Sequence, residues 1–90
     1  MLLSKNESFI IIPVHNRKTV TLRCLNHLAA INDLNNFQVL VVDDSSNDDT
    51  ARAIRAQYPQ VHLVIGSGDL WWTGAIKLGM EYAYAQCVIV

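Results

Sequence analysis

Three short, nearly unbroken apolar runs constrain this chain more than anything else in it. Phe9–Val14 reads FIIIPV, Phe37–Val42 reads FQVLVV and Val61–Ile65 reads VHLVI. Runs of this length without polar alternation are the pattern of strands buried on both faces. A fourth run, Cys87–Val90, closes the sequence. The stretches between them carry helical spacing. In the first, Thr19 to Ile31, residues Thr21, Leu25, Leu28 and Ile31 fall on one face with Cys24 beside them, and Asn16 is placed to cap it. The second covers about Asp49 to Tyr58, with Ala51, Ile54 and Tyr58 as its buried stripe. Asn47 or Asp48 suits its cap, and Pro59 stops it. The third covers about Thr73 to Tyr84, with Thr73 as a cap, Ile76, Met80 and Ala83 facing inward, and Gly79 kept for close packing.

The order β-α-β-α-β-α-β follows. Buried strands alternating with helices imply an α/β fold on a parallel sheet with right-handed crossovers. In such sheets ligands bind beyond the carboxyl ends of the strands. Three segments reach that edge: Pro13–Arg17, Asp43–Asp48 and Gly66–Gly74.

Length and composition narrow the class. Ninety residues make one domain at most. With 51% hydrophobic and 17% charged residues the chain is globular, not disordered. A net charge of −1 gives no electrostatic basis for a nucleic-acid partner. Cys24 and Cys87 have neither C-x-x-C nor metal-ligand spacing, so two packed free thiols in a reducing cytoplasm are expected. The amino terminus lacks the basic and apolar regions of a signal peptide, and no apolar run approaches the ~18 residues of a membrane span. The sequence stops on an apolar run with no turn or polar tail, which reads as a partial domain over residues 1–90; a genuine carboxyl-terminal strand would look the same.

Candidate chemistry sits at the strand ends. Asp43 and Asp44 adjoin at a partly desolvated position, where two carboxylates repel unless a cation or a donor-bearing ligand relieves them. Asp48 and Asp49 need only complement the start of a helix. Pro13 interrupts the ladder, and His15 and Asn16 follow it at the mouth of the sheet, where an imidazole can stack on a flat ring. In GSGDLWWTGAIKLG, Gly66, Gly68 and Gly74 allow positive φ or close approach, but neither G-x-G-x-x-G nor a P-loop is present. Of the adjacent Trp71 and Trp72, one is expected in the core and the other on a pocket wall. Lys77 stands four residues before Glu81, either as a surface pair or as a cation near a phosphate.

Taken together, IIIPVHNR, VLVVDDSSNDDT and GDLWWTGAIKLGMEYA resemble the amino-terminal, nucleotide-binding portion of a family 2 glycosyltransferase with the Rossmann-like GT-A fold. The match spans about residues 9 to 86, with Gly74, Ala75, Gly79 and Ala83 on the family's small-residue helix. The resemblance implies a nucleotide site of Pro13, His15, Asn16, Asp43, Asp44, Trp72, Gly74 and Lys77. In it Asp44 accepts a base N–H and Asp43 supports the loop. Lys77 departs from the Asn or Arg common in the family. The implied donor is a UDP- or dTDP-sugar, and the implied acceptor a glycan or a lipid-linked glycan. The W-W-T-G-A variant is similar to rhamnosyltransferase-like members. The family's D-x-D motif, which holds Mg²⁺ or Mn²⁺, and its catalytic base would follow Val90; no D-x-D occurs in these residues. The chain alone is therefore expected to be inactive, with no catalytic or metal-binding residue of its own. Peripheral membrane association at the cytoplasmic face is implied for a full-length enzyme.

Two other readings compete. A truncated or degenerate, non-catalytic module would keep the fold and bind nucleotide weakly or only mediate contacts. A response-regulator receiver also ends a strand in paired acids, but there the pair closes the first strand and a phosphoacceptor Asp follows far downstream. Here the pair closes the second strand and no Asp follows Asp69.

Overall fold

The computed structural model describes residues 8–86. The elements run β1 (Phe9–Val14), α1 (Lys18–Ala30), α2 (Asp33–Asn36), β2 (Gln38–Asp43), α3 (Thr50–Gln57), β3 (His62–Ile65) and α4 (Trp71–Gln86). The strands form a parallel sheet in the order β1-β2-β3. The expected fourth strand over Cys87–Val90, and the Cys87 thiol, lie outside the described residues. The short turn α2 was not expected from the periodicity.

β2 is the central strand, and its two-residue period divides the core. Val39 and Val41 meet Leu25 of α1 and Ile54 of α3 on one face. Leu40 and Val42 meet Ala75 of α4 on the other. Leu40, Val41 and Val42 are fully buried. Each contributes about 1.5–3 kcal/mol by leaving water. Both crossovers, β1-α1-β2 and β2-α3-β3, keep their helices on one face. α4 then packs back over β1 and β2 on the opposite face. α4 thus carries the chain back across the sheet from β3 toward β1, and in such sheets ligands bind at the carboxyl ends of the strands.

α4 presents a different face from the one expected. Ala75 and Gly79 lie against the sheet with Leu78 and Tyr82 packed beside them, whereas Met80 is 59% exposed and Ile76 and Ala83 are only half-buried. The helix is apolar nearly all round, so hydropathy alone does not choose its inner face. The small side chains choose it, because they let the helix backbone come close to β1 and β2. Cys24 is exposed, not packed. It precedes the buried Leu25 by one residue, a rotation of about 100° around α1. Ile31 is also exposed, because α1 ends at Ala30.

Asn16 does not cap α1. It adopts φ 53°, and its Oδ1 accepts the Asn47 N–H at 2.6 Å. The cap comes from across the sheet, where Asp48 Oδ2 accepts the Lys18 N–H at 3.0 Å. Asp48 Oδ1 also accepts the Thr50 hydroxyl and the Thr50 N–H. One carboxylate therefore joins the starts of α1 and α3, while Asp49, at the cap position of α3, makes no side-chain cap. The Thr50 hydroxyl, opposed by desolvation and assisted by the backbone N–H groups of Lys18, Thr50 and Asp48 itself, holds the Asp48 carboxyl below its usual value. A lowered folded pKa stabilises the fold above the ordinary Asp value of about 4 and ceases to do so as pH falls through the lower folded value. Asp48→Asn is thus expected to lower the unfolding midpoint at neutral pH, and the gap to the parent should close in acid. Melting curves between neutral and strongly acidic pH check this.

Candidate nucleotide-binding site

The acid pair ends the most buried strand, and the two-residue period that divides the core also divides the pair. Asp43 and Asp44 are 2% and 6% exposed, and their carboxylates serve different loops. Asp43 Oδ1 accepts the Ser46 N–H at 3.0 Å and the Ser46 hydroxyl, closing a turn after β2. Asp44 turns to the β3–α4 loop. Its Oδ1 accepts the Gly68 N–H at 2.7 Å and its Oδ2 the Leu70 N–H at 2.9 Å. The repulsion between adjacent carboxylates is thus relieved by opposite orientation and by separate sets of donors. Among the described residues no buried side-chain polar atom lacks a partner.

The same loop needs its glycines. Gly68 sits at φ 103°, where any side chain is strained. A Cβ on Gly66 would lie 2.7 Å from Asp44 Oδ1, so close approach of the loop to the acid depends on its absence. Ser45 Oγ donates to the Gly66 carbonyl at 2.8 Å and ties the two loops together.

His15 completes the mouth of the sheet. Its Nδ1 lies 2.6 Å from the Asp44 carbonyl oxygen. A carbonyl only accepts, so Nδ1 carries the proton and Nε2 is left to accept the Asn16 side-chain N–H at 3.2 Å. Asn16 Oδ1, held by Asn47, fixes that amide in turn. The imidazole is therefore oriented on both sides.

A cleft of about 350 Å³ opens between these groups. Pro13, Val14 and His15 border it from β1, Asp44 from β2, and Gly68, Trp71, Trp72 and Ala75 from the β3–α4 segment. It is mostly apolar with two convergent polar groups, the usual make-up of a small-molecule site. Of the residues expected at a nucleotide, Pro13, His15, Asp44 and Trp72 meet here. Asn16 touches the site only through His15, and Asp43 only through the loop it supports. Gly74 lies one turn into α4, its N–H on the Leu70 carbonyl at 3.0 Å. Lys77 is elsewhere, on the outer face of α4 in a groove with Ile76, Met80 and Tyr84.

Neither tryptophan enters the core: Trp71 is 82% and Trp72 71% exposed. α4 already begins at Trp71, earlier than the expected Thr73 cap, and Ala75 and Gly79 fill its sheet side. Trp71 borders the cleft, as the resemblance implied for the loop from Trp71 to Gly74, whereas Gly68 and Leu70 are site residues that the sequence did not single out. Gly68 carried a signal as a glycine in the loop; the backbone donors did not.

A parallel α/β sheet with a mostly apolar cleft at the carboxyl ends of its strands, edged by a buried acid and an oriented histidine, is the architecture of a partial Rossmann-like domain of the GT-A type. The sequence model described as Glycosyl transferase family 2 matches residues 9–90, and the chain belongs to that family. Membership supports a glycosyl-transfer role, and the family implies a nucleotide-sugar donor and an acceptor as substrates. No curated protein and no solved structure matches the chain. The family generally uses a divalent cation. Among the described residues no three His, Cys, Asp or Glu side chains come together to hold one. Asp43, Asp44 and Asp48 each point to separate backbone donors, so these acids do not fit such a site. No described helix is long and apolar enough to cross a membrane.

Proposed function

We propose that this chain holds the nucleotide of a UDP- or dTDP-sugar in the cleft between His15 and Asp44, for transfer to a glycan or lipid-linked acceptor. The observation that carries the reading is the pairing of a buried carboxylate with a doubly oriented imidazole at one mouth of the sheet. A carboxylate offers about four acceptor positions, and two of those on Asp44 are taken by Gly68 and Leu70. A ring N–H uses a remaining one. The imidazole stacks on the base, and Pro13 and Val14 give the base an apolar wall.

In the transfer itself the acceptor hydroxyl attacks the anomeric carbon. Its proton passes to a carboxylate base, and the nucleoside diphosphate leaves with the bonding pair, inverting the centre. Asp44 is not that base, because its oxygens serve the loop and the nucleobase. The similarity of the W-W-T-G-A segment to rhamnosyltransferase-like members favours a deoxyhexose donor.

Cytosine separates this reading from general nucleotide affinity. Uracil and thymine carry an N–H at ring position 3, where cytosine carries a lone pair. Calorimetric titration should therefore show CDP binding at least about tenfold more weakly than UDP or dTDP, the loss of one charge-assisted hydrogen bond. Equal affinity for CDP contradicts the assignment of Asp44. No binding of any nucleotide favours the non-catalytic module.

A further inference from the structure

We propose that Trp71 and Trp72 form a stacking platform for a hexopyranose ring beside the nucleotide; this rests on the reading of the cleft as the donor site and names the second chemical group the cleft receives. Both indoles are adjacent and largely exposed, and both border the cleft. Two large apolar side chains left exposed side by side at a cleft point to a contact site.

The backbone supplies a second, independent observation. Trp71 adopts φ 57°, a region that a bulky side chain occupies only where its surroundings impose it. The imposing contacts are visible. Asp44 holds the amides of Gly68 and Leu70 on either side of Asp69, and the Gly74 N–H returns to the Leu70 carbonyl. Strain is thus maintained while the indole stays in solvent rather than in the core. Such strain collects at ligand sites.

The nucleobase already has its flat and polar partners in His15 and Asp44. What suits an indole face is the C–H side of a sugar ring, whose partial positive charge meets the negative face of the aromatic system. Sugar hydroxyls need polar neighbours, and exposed Ser67, Asp69 and Thr73 flank the two indoles in sequence. The Ser67 hydroxyl donates to Asp69, which leaves further acceptor positions on that carboxylate. The ring is either the sugar of the donor or that of the acceptor, and the test separates them.

Trp71 and Trp72 are the only tryptophans in the chain, so tryptophan emission, excited to the red of the tyrosine band, reports this site alone. The chain is titrated with UDP and dTDP, with UDP-glucose and dTDP-rhamnose, and with methyl glucoside and methyl rhamnoside. Amide shifts at His15 follow the nucleotide in parallel. A sugar-bearing probe should shift emission to the blue where UDP or dTDP alone does not. Trp71→Ala should weaken that probe by roughly tenfold, and Trp71→Phe by much less. A shift with the free glycosides identifies the acceptor sugar; a shift confined to the conjugates identifies the donor sugar. The platform is overturned if UDP alone gives the full emission shift, or if no sugar probe gives one. If UDP moves the His15 amide while no sugar probe moves the emission, the platform fails and the nucleotide reading stands. If a glycoside moves the emission while UDP leaves His15 unmoved, the nucleotide reading fails instead.

Discussion

Replacing Asp44 with alanine should raise the Kd for UDP or dTDP by roughly 10- to 150-fold. That range corresponds to the about 1.5–3 kcal/mol of a hydrogen bond to a charged group. The same change frees the Gly68 and Leu70 amides, whose acceptor among the described residues is this carboxylate. Gly68 is exposed and can turn to water. The loss of fold stability should therefore stay near about 1–2 kcal/mol, well below the effect on binding. Asp44→Asn refines the result. Its amide has one acceptor oxygen, so its NH₂ must face either the Gly68 or the Leu70 N–H, donor against donor. It should bind nucleotide nearly as poorly as the alanine variant. Calorimetry and thermal melting together separate the two effects, and an alanine variant that binds UDP within about twofold of the parent contradicts the account.

Gly79→Val should be the most damaging single change to the fold. A Cβ at this position would lie 2.6 Å from the Ile11 Cγ2 and 3.1 Å from the Val42 Cγ2. Both obstacles are β-branched methyls fixed on the sheet, not free ends of flexible chains. Alanine gains about 1 kcal/mol of helix propensity, which only partly offsets an over-packing cost of about 1–3 kcal/mol. Valine adds two further methyls and gives up much of that propensity. A net loss of about 3 kcal/mol lowers the melting midpoint of a chain this size by roughly 12–24 °C. Calorimetry of the two variants should rank them parent, alanine, valine. A valine variant that melts with the parent would show that α4 does not approach β1 and β2 as described.

The layout of strands and helices was legible because β2 is buried on both sides. A run such as VLVV admits few other placements, and the acids that end it mark the edge where a ligand enters. The division of Asp43 from Asp44 also followed in principle from the two-residue period of a strand. The inner face of α4 did not. Ile76, Leu78, Met80, Tyr82 and Ala83 spread around the helix, so no apolar stripe stands out, and close approach through Ala75 and Gly79 decided the matter instead. Two long-range pairings were also invisible. Asp48 caps α1 through the Lys18 amide thirty residues away, and Asp44 holds backbone amides of the β3–α4 loop. Backbone donors belong to nearly every residue, so only the glycines that let them approach leave a trace. The tryptophans misled for a related reason: large apolar side chains are expected inside, and only the start of α4 at Trp71 turns both outward.

The central claim is that a nucleotide lies at the carboxyl ends of β1 and β2. Amide-resolved NMR during titration with UDP or dTDP tests it most directly. The account predicts shifts at His15, Asp44, Gly68 and Leu70, absent in Asp44→Ala. Spectra unchanged at millimolar nucleotide, or shifts gathered instead around Lys77 to Tyr84 on the outer face of α4, would contradict it.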